Sequence, residues 1–416
     1  SHIIFHIDVN SAYLSWTAVE QLKNGADVDI RTIPAIIGGD RESRHGIVLA
    51  KSPSAKKFGI RTGEPVVNAF RKCPNLHMEA PDHEMYHKHS RELMAFLRSY
   101  TPDIEQVSVD ECYMDFTGIS GRFASPVEAA FEIKDEVKKR FGFTVNIGIS
   151  DVKVLAKMAS DFEKPDRVHT LFRKEIQKKM WPLPISDLFM AGHSSVETLR
   201  KLEIQTIGDL AKADPKLIEL HLKSHGRRLW EFANGMDDSI VESEKAEAKG
   251  VGNSTTLSKD VSTKEDAQKV LLSLAQSVGG RLRKHGYHAG VVNVEIKYAD
   301  FTVNSHQKQL ERMTASDQVI YQTAVELFCE MWNGKPIRLL GIRTSKLSQE
   351  GEPQQLSLFD LNFHSSDNIS EEVKSFENSQ KHEKLDQALD EIRKKFGKDA
   401  VVRASFLKKP EKEEKM

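Results

Sequence analysis

Apolar residues along the chain change repeatedly between strand-like runs and helix-like spacing, which predicts an α+β fold. Residues 2–8 form a largely apolar run that ends in Asp8, a pattern typical of a buried strand. Over residues 11–23 apolar side chains recur on successive helical turns, which predicts a helix directly after this strand. Two short apolar runs, 33–37 and 47–50, follow and are bounded by Gly or Pro.

The stretch from residue 76 to 171 continues the alternation of helices and strands. Its pattern predicts helices over 82–100, 126–140 and 152–162, and strands over 104–116, 143–150 and 168–172. The longest of these strands is interrupted by Asp110 and Glu111, which predicts a hairpin turn or a strand bend. Helices that follow strands and pack on one face of a small sheet indicate an α+β domain.

The rest of the chain divides into segments of different composition. Glycines separate short predicted helices over 185–236, and the charged residues 237–250 resemble a linker. Residues 251–347 form a second α+β block, with helices predicted over 263–284 and 316–333 and strands over 291–298 and 337–347. The remainder is predicted to be flexible over 348–384, with an apolar island at 356–363, and helical over 385–396.

Composition narrows the class of protein. The 416 residues are too many for one compact domain and fit two to four. Because 60 Lys and Arg nearly balance 61 Asp and Glu, any basic surface for nucleic acid must be local. The three cysteines lie far apart, which excludes a disulfide framework and a cysteine zinc site and suits a reducing cytosol. No apolar run is long enough to predict a membrane span, and no signal-peptide pattern opens the chain.

Three acidic residues occur within apolar runs and form the first candidate site. Asp8 ends the first predicted strand, while Asp110 and Glu111 interrupt a later one. If these segments are neighbouring strands, three buried carboxylates would need cations, and hard oxygen ligands select Mg²⁺ or Mn²⁺. Two such cations bridged by carboxylates perform phosphoryl transfer. The alternative is an exposed hairpin tip at 110–111 and a helix cap at Asp8.

Basic residues form a second group, namely Lys51, Lys56, Lys57, Arg61, Lys153, Lys157 and Lys164. A short helix that begins near Ser52 or Ser54 would point backbone amides and lysines at a triphosphate. The alternative for the pair Lys56-Lys57 is an ordinary solvated surface helix.

Two further segments suggest binding to larger partners. A turn around Gly192, between the short helices of residues 188–210, would expose backbone N–H groups to a DNA phosphate; the alternative is an ordinary helical hairpin. Gln355, Leu356, Leu358 and Phe359 form an apolar peptide in a polar tail, a pattern typical of docking into a groove of another protein. The alternative is that this peptide folds back on the body of the protein.

Together these motifs resemble the Y-family (translesion) DNA polymerases of the bacterial DNA polymerase IV type. The resemblance covers roughly residues 3–347 and extends to the tail. The matching motifs, in order, are Ile7-Asp8-Val9-Asn10 with Tyr13; residues 56–60 with Thr62-Gly63; Ser108-Val109-Asp110-Glu111-Cys112-Tyr113-Met114-Asp115; Gly148-Ile149-Ser150 through Lys157; Lys164-Pro165; residues 188–210; and Asn253-Ser254-Thr255-Thr256.

The resemblance implies a multidomain right-hand polymerase. It places the palm at 1–10 and 76–165, small fingers at 11–75, a helical thumb with a helix-hairpin-helix at 166–236, a linker at 237–250, the little finger (polymerase-associated) domain at 251–347 and a flexible C-terminal tail at 348–416. The implied protein is cytoplasmic and nucleoid-associated, monomeric, and not bound to a membrane. Its implied partners are primer-template DNA, a dNTP and the sliding clamp, or beta subunit.

The resemblance also implies roles for individual residues. Asp8, Asp110 and Glu111 would be catalytic, and with the Val9 carbonyl they would hold two Mg²⁺ ions, for which Mn²⁺ can substitute. Tyr13 would be the sugar gate that excludes a 2′-OH; the alternative is a core aromatic of helix 11–23. Lys164 would bind the nucleotide, and the tail peptide would bind the clamp. Apart from the resemblance, Lys56 is expected to substitute for the triphosphate-binding arginine of relatives. The exposed turn and the basic residues of thumb and little finger are expected to bind DNA phosphates, namely Gly192, Arg227, Arg228, Arg281, Arg283 and Lys284.

This sequence departs from the family pattern in two places. Many relatives have Tyr-Glu-Ala-Arg where this chain has Pro53-Ser54-Ala55-Lys56, so a bidentate Arg becomes a point-charge Lys. The thumb keeps only the last glycine of the usual Gly-x-Gly, at Met190-Ala191-Gly192. The expected activity is low-fidelity, template-directed DNA synthesis for translesion synthesis and damage tolerance. The alternatives are a non-catalytic DNA-binding or clamp-adaptor homologue of the same fold, and a metal-dependent nuclease.

Overall fold

The computed structural model describes residues 2–40, 46–244, 247–349, 368–397 and 400–401, with residues 368–380 described by their backbone alone. Its strands are β1 Ile4–Val9, β2 Ala35–Gly38, β3 Val48–Lys51, β4 His77–Glu79, β5 Ile104–Gln106, β6 Glu111–Asp115, β7 Val145–Ser150, β8 Val168–Thr170, β9 Gly250–Val261, β10 Tyr287–Tyr298, β11 Val303–Thr314 and β12 Ile337–Gln349.

The α-helices are α1 Ala12–Lys23, α2 Pro53–Lys57, α3 Val66–Lys72, α4 His83–Arg98, α5 Pro126–Phe141, α6 Lys153–Ser160, α7 Ile176–Lys179, α8 His193–Lys201, α9 Ile207–Lys212, α10 Pro215–Ala233, α11 Lys264–Lys284, α12 Asp317–Met331 and α13 Asn368–Phe396. Lys223 has non-helical backbone angles and divides α10 into two pieces. The chain forms two compact units, Ser1–Lys245 and Ala246–Met416.

A five-stranded sheet is the centre of the first unit, in the order β5-β6-β1-β7-β8. The N-terminal strand β1 is its middle strand and pairs antiparallel with both β6 and β7. Because successive strand residues point to opposite faces, Phe5, Ile7 and Val9 enter the main core, which the helices α1, α4 and α5 cover. Ile4, His6 and Asp8 share the other face.

Helix α6 covers part of that second face, so the expectation that the helices pack on one face only is wrong. Gly148 of β7 lies opposite His6 in the strand register. A Cβ atom at Gly148 would lie 2.0 Å from the Ala156 carbonyl oxygen and 2.4 Å from the Ser160 nitrogen. The glycine therefore lets the backbone of α6 lie directly against the sheet, and it brings the end of α6 beside His6.

Two smaller layers complete the first unit. Strands β3-β2-β4 form a three-stranded sheet, and helices α7–α10 share a separate apolar core with α6. Residues 237–242 contact the central sheet region, because Lys153 donates to the Ile240 carbonyl and Glu105 accepts from the Glu242 nitrogen. This part of the predicted linker is therefore attached to the first unit.

The second unit has a four-stranded sheet, in the order β11-β10-β12-β9, whose core it shares with α11 and α12. Strands β9 and β11 were not expected, because their side chains are largely exposed and give no apolar alternation. The C-terminal helix begins at Asn368 and is longer than the expected 385–396. Part of the tail predicted to be flexible is thus helical.

Candidate active site

The three acidic residues expected to be catalytic meet where β1 ends. Asp8 lies opposite Glu111 in the antiparallel pair of β1 and β6. The backbone nitrogen of Val9 donates to the Asp110 carbonyl at 3.0 Å, which fixes the turn before β6 against β1. Strand pairing therefore brings together residues that are about a hundred positions apart in sequence.

Each of the three carboxylates is held through one oxygen. Asp8 Oδ2 is ion-paired with Lys164 Nζ, Asp110 Oδ1 accepts from Ser108 Oγ at 2.6 Å, and Glu111 Oε2 accepts from Lys157 Nζ at 2.9 Å. In the described part of the chain, no other side chain makes a hydrogen bond or ion pair with the second oxygen of any of them. One carboxylate oxygen of each residue thus remains available to a ligand.

Two asparagines position Lys164. The Asn10 side chain accepts from the Asp166 nitrogen at 2.9 Å and donates to Asn146 at 3.1 Å. Asn146 in turn donates to the carbonyl of Glu163 at 2.6 Å. The loop that carries Lys164 is therefore attached on one side to Asn10, directly after β1, and on the other to Asn146 of β7, which places its ammonium beside Asp8.

The charges in this cluster shift the pKa values in opposite directions. Burial, with the negative charges of Asp8 and Glu111, raises the pKa of Asp110 despite its hydrogen bond from Ser108. The His6 hydrogen bond and then Lys157 lower the pKa of Glu111 to about 2. Burial lowers the Lys164 pKa, but the carboxylates of Asp8 and Asp161 outweigh it and raise the pKa overall. Of the three carboxylates, Asp110 is thus the one that no cation among the described residues compensates.

The chemistry of the donor atoms suits divalent cations, although among the described residues no group of three or more His, Cys, Asp or Glu side chains is arranged to hold a metal ion. Even so, Asp8, Asp110 and Glu111 each present a hard oxygen without a side-chain partner among the described residues, and a cation would offset the burial and the repulsion from Asp8 and Glu111 that raise the pKa of Asp110. These residues therefore suit Mg²⁺ or Mn²⁺ better than softer metals.

Tyr13 lies on the first turn of α1, next to this cluster. Its ring stacks on Tyr86 with 4.3 Å between centroids and meets His83 edge-on. Burial and the negative charge of Asp110 both raise the pKa of Tyr13. The tyrosine is thus half-buried, backed by an aromatic neighbour and within electrostatic range of the acidic cluster.

The other basic residues are dispersed. Lys56 is exposed on the short helix α2, whose N-cap Ser52 accepts from the Ala55 nitrogen. Lys153 pairs with Glu105 on β5 and not with the three acidic residues. Of the basic group, Lys157 and Lys164 are the ones that described ion pairs bring to Asp8 and Glu111.

Comparisons with known proteins agree with this geometry. Residues 7–161 match the impB/mucB/samB family, and residues 248–358 match the C-terminal domain of that family. DNA polymerase IV of Clostridium acetobutylicum is 46% identical over 412 residues, 99% of this chain and 100% of the relative. DNA polymerase IV 1 of Bacillus subtilis is 35% identical, over 100% of this chain and 95% of the relative.

The chain belongs to the Y-family DNA polymerases of the DNA polymerase IV type. A solved structure, the Y-family DNA polymerase chimera Dbh-Dpo4(243-245)-Dbh, superposes with a TM-score of 0.73 at 21% identity and covers 84% of this chain and 100% of the chimera. This likeness confirms the expected right-hand fold. No helix in the described ranges is long and apolar enough to span a membrane.

Most cations expected to bind DNA lie at the surface of this Y-family polymerase. Arg227 pairs with Glu231 and lies over the Trp230 ring, and Arg228 lies over Phe232. Arg281 and Lys284 are exposed on α11. Gly192 is the N-cap residue of α8, with nothing within 4 Å of a Cβ atom built there.

Arg283 does not fit the expected role in DNA binding. Its side chain is 6% exposed and pairs with Asp317 at 2.9 Å and with Asp390 at 2.7 Å. Carboxylates from α12 and α13 therefore pair with the buried guanidinium that DNA would need. The expected clamp peptide, residues Gln355, Leu356, Leu358 and Phe359, lies outside the described residues.

Sequence reasoning missed three residues that support the carboxylates, namely His6, Ser108 and Ser160. Ser108 donates to Asp110, while the His6 ring lies between Ser160 and Glu111. The alternation of β1 was a usable signal, since His6 is two residues before Asp8 and must share its face. Nothing local in the sequence pointed to Ser160, because its partner lies 154 residues away.

Proposed function

We propose that this Y-family polymerase adds deoxynucleotides to a primer 3′-OH with low fidelity, in translesion synthesis and DNA damage tolerance. The observation that carries the proposal is the set of three carboxylates with one available oxygen each. These carboxylates and the Val9 carbonyl would hold two Mg²⁺ or Mn²⁺ ions. The ions would activate the attacking hydroxyl and neutralise the charge of the leaving phosphate.

The side chains around the carboxylates have complementary tasks in this proposal. Lys164 neutralises Asp8 in the free protein and would turn to the triphosphate once a cation occupies Asp8. Lys157 stays on Glu111 and fixes its orientation. Tyr13 would lie against C2′ of the incoming sugar and exclude a 2′-OH by steric contact. Lys56 would reach the triphosphate from the fingers.

Contacts with the larger partners complete the proposal. The exposed Arg227, Arg228, Arg281 and Lys284, and the backbone at Gly192, would bind phosphates of primer-template DNA without reading its bases. The peptide of residues 355–359 would bind the sliding clamp. We propose a monomer that works in the cytoplasm, associated with the nucleoid.

Primer extension with each dNTP and Mg²⁺ tests the catalytic assignment. We expect the wild-type chain to extend a primer and Asp110→Asn to lose about 10³-fold in rate, because a lost ligand costs several kcal/mol in the transition state. Asp115→Asn is the matched control, since Asp115 lies at the opposite end of β6.

The alternative functions give different results in the same assay. A clamp-adaptor homologue would bind DNA but not extend the primer, and a nuclease would shorten it. Wild-type rates in Asp110→Asn would refute the role of the carboxylates.

A further inference from the structure

A buried histidine and a serine lie directly behind Glu111. The His6 side chain is 1% exposed, and its Nε2 lies 3.3 Å from Glu111 Oε2. Its other ring nitrogen, Nδ1, lies 2.8 Å from Ser160 Oγ. A chain of three polar groups thus connects the end of α6 to one oxygen of a catalytic carboxylate.

The contacts select one tautomer of the ring. A neutral imidazole carries one proton, and next to a carboxylate that proton is favourable on Nε2. Nδ1 must then accept a hydrogen bond, and Ser160 Oγ is the hydroxyl in reach. The Ser160 hydroxyl also has the Lys157 carbonyl oxygen as an acceptor, at 2.8 Å, so its single proton has two possible acceptors. Donation to the carbonyl would leave the Nε2 lone pair of a neutral His6 facing the carboxylate, which the negative charge of Glu111 disfavours, so we infer donation to His6.

Two donors therefore converge on the same oxygen. Lys157 Nζ lies 2.9 Å from Glu111 Oε2, the atom that His6 approaches from the sheet. With Oε2 held from two sides, the carboxylate cannot rotate freely, and Oε1 is the oxygen to which no described side chain is bonded. Partners of this kind, behind the residues that bind a metal, commonly change metal affinity or activity by 10- to 100-fold when they are removed.

We propose that His6, with its tautomer fixed by Ser160, is a positioning residue that presents Glu111 Oε1 to a divalent cation. The inference rests on the proposed function, because it assumes that Glu111 binds the cation. It adds a role for residues outside the carboxylate set. Gly148 supports the same arrangement, because its lack of a side chain lets α6 bring Ser160 to the His6 ring.

Metal binding without turnover tests this role. The probe is Mn²⁺, titrated by electron paramagnetic resonance onto the full chain with a dideoxy-terminated primer-template and the next dNTP. His6→Asn keeps a polar group near Ser160 but does not reach Glu111, whereas His6→Gln reaches Glu111. We expect His6→Asn and Ser160→Ala to raise the Mn²⁺ dissociation constant at least about 10-fold, and His6→Gln to stay within about threefold of wild type.

Two results would overturn the proposal. The first is a wild-type Mn²⁺ affinity in Ser160→Ala. The second is an equal loss of Mn²⁺ affinity in His6→Gln and His6→Asn, which would show that the ring serves packing alone. Thermal unfolding shows whether each variant is folded. If both His6 variants are unfolded, the Mn²⁺ affinity of Ser160→Ala tests the proposal by itself. Wild-type protein that binds Mn²⁺ but fails to extend a primer would refute the proposed function and leave the positioning role intact.

Discussion

Tyr13 has a ring whose position is fixed by its neighbours. Tyr86, itself buried, stacks on it with an interplanar angle of 8°. The stacked pair shows that Tyr13 is partly a packing residue, so the alternative of a core aromatic applies to one face of the ring. Since Tyr13 remains partly exposed, the rest of the ring is available to a nucleotide.

We expect Tyr13→Ala to increase ribonucleotide use relative to deoxyribonucleotide use by about 10- to 100-fold, because the ring would no longer exclude the 2′-OH. Contacts of this steric kind are worth about 1–3 kcal/mol. Tyr13→Phe keeps the ring and is the control. Single-nucleotide insertion with each sugar gives the ratio, and an unchanged ratio in an active Tyr13→Ala variant would assign the gate to another residue.

The sequence indicated some members of the site and not others. Asp8, Asp110 and Glu111 could be identified because charged residues within apolar runs need an explanation. Their neighbours Ser108 and Ser160 are common polar residues without any such contrast. Arg283 was misjudged for the opposite reason. Its positive charge suggested a contact with DNA phosphate, but the side chain pairs with Asp390 of α13, about a hundred residues later in sequence.

At the level of elements, the approach of α6 to β7 depends on Gly148. A side chain there would collide with backbone atoms of Ala156 and Ser160, which cannot move aside as a flexible side chain can. The same contact positions Lys157 beside Glu111 and Ser160 beside His6. Gly148 therefore affects both the packing of α6 on the sheet and the positions of the side chains next to Glu111.

We expect Gly148→Ala to lower the free energy of unfolding by about 1–3 kcal/mol, the usual cost of overpacking, and to reduce primer extension in the protein that stays folded. Gly118→Ala is the control, because nothing lies within 4 Å of a Cβ atom at Gly118. Urea unfolding of both variants measures the difference. Equal stability would show that α6 can shift at little cost.

Elements were predictable where one face is buried. Strand β1 and helices α1, α4, α5 and α11 appear close to their expected positions because their apolar residues follow a clear period. Strand β11 has seven exposed residues in succession, so its pairing with β10 leaves no trace in the apolar pattern. Helix α13 packs through polar contacts, such as Glu383 with Thr314 and Asp386 with the Asp317 nitrogen.

The ionic contact between α11, α12 and α13 makes the second unit sensitive to pH. Burial raises the pKa of Asp317 to about 6, and Arg283 offsets this only in part. Because the pKa of Asp317 is higher in the folded protein, the folded state binds this proton more tightly than the unfolded state does. The contribution of Asp317 to the free energy of unfolding is therefore largest below about pH 4 and is lost as the pH rises through about 6.

We expect Asp317→Asn to remove this pH dependence, which amounts to up to about 3 kcal/mol between pH 4 and pH 7. Asparagine keeps an oxygen for Arg283 but does not titrate. Urea unfolding of both proteins across this range, followed by circular dichroism, gives the difference. Parallel curves for variant and wild type would contradict the assignment. Asp300→Asn is the control at an exposed carboxylate.

For the whole molecule, tethering to a clamp would determine how far the enzyme travels on DNA. Fifty-seven residues follow Phe359, so the proposed clamp peptide is internal. Strand β12 ends at Gln349 and α13 begins at Asn368, and both belong to the second unit. Along the chain, the peptide is therefore connected to that unit on both sides.

We expect the double variant Leu358→Ala, Phe359→Ala to lose about 10²-fold in clamp affinity. Two apolar side chains that become buried in a groove of the clamp would contribute about 3–6 kcal/mol in total, before the cost of ordering the peptide. Extension without clamp should not change. Ser357→Ala, between the two leucines, is the control. Product lengths with loaded clamp are the measurement, and an undiminished gain in the double variant would exclude this peptide as the tether.

The central place of β1 has a consequence for how the protein is made. Translation produces β1 before both strands that pair with it, because these strands lie beyond residue 110. At 5–20 residues per second, a nascent chain waits on the order of ten seconds before β6 and β7 are synthesised. During that interval the apolar residues Ile4, Phe5 and Ile7 have neither neighbour, so the first strand of the chain is a natural binding segment for chaperones at the ribosome.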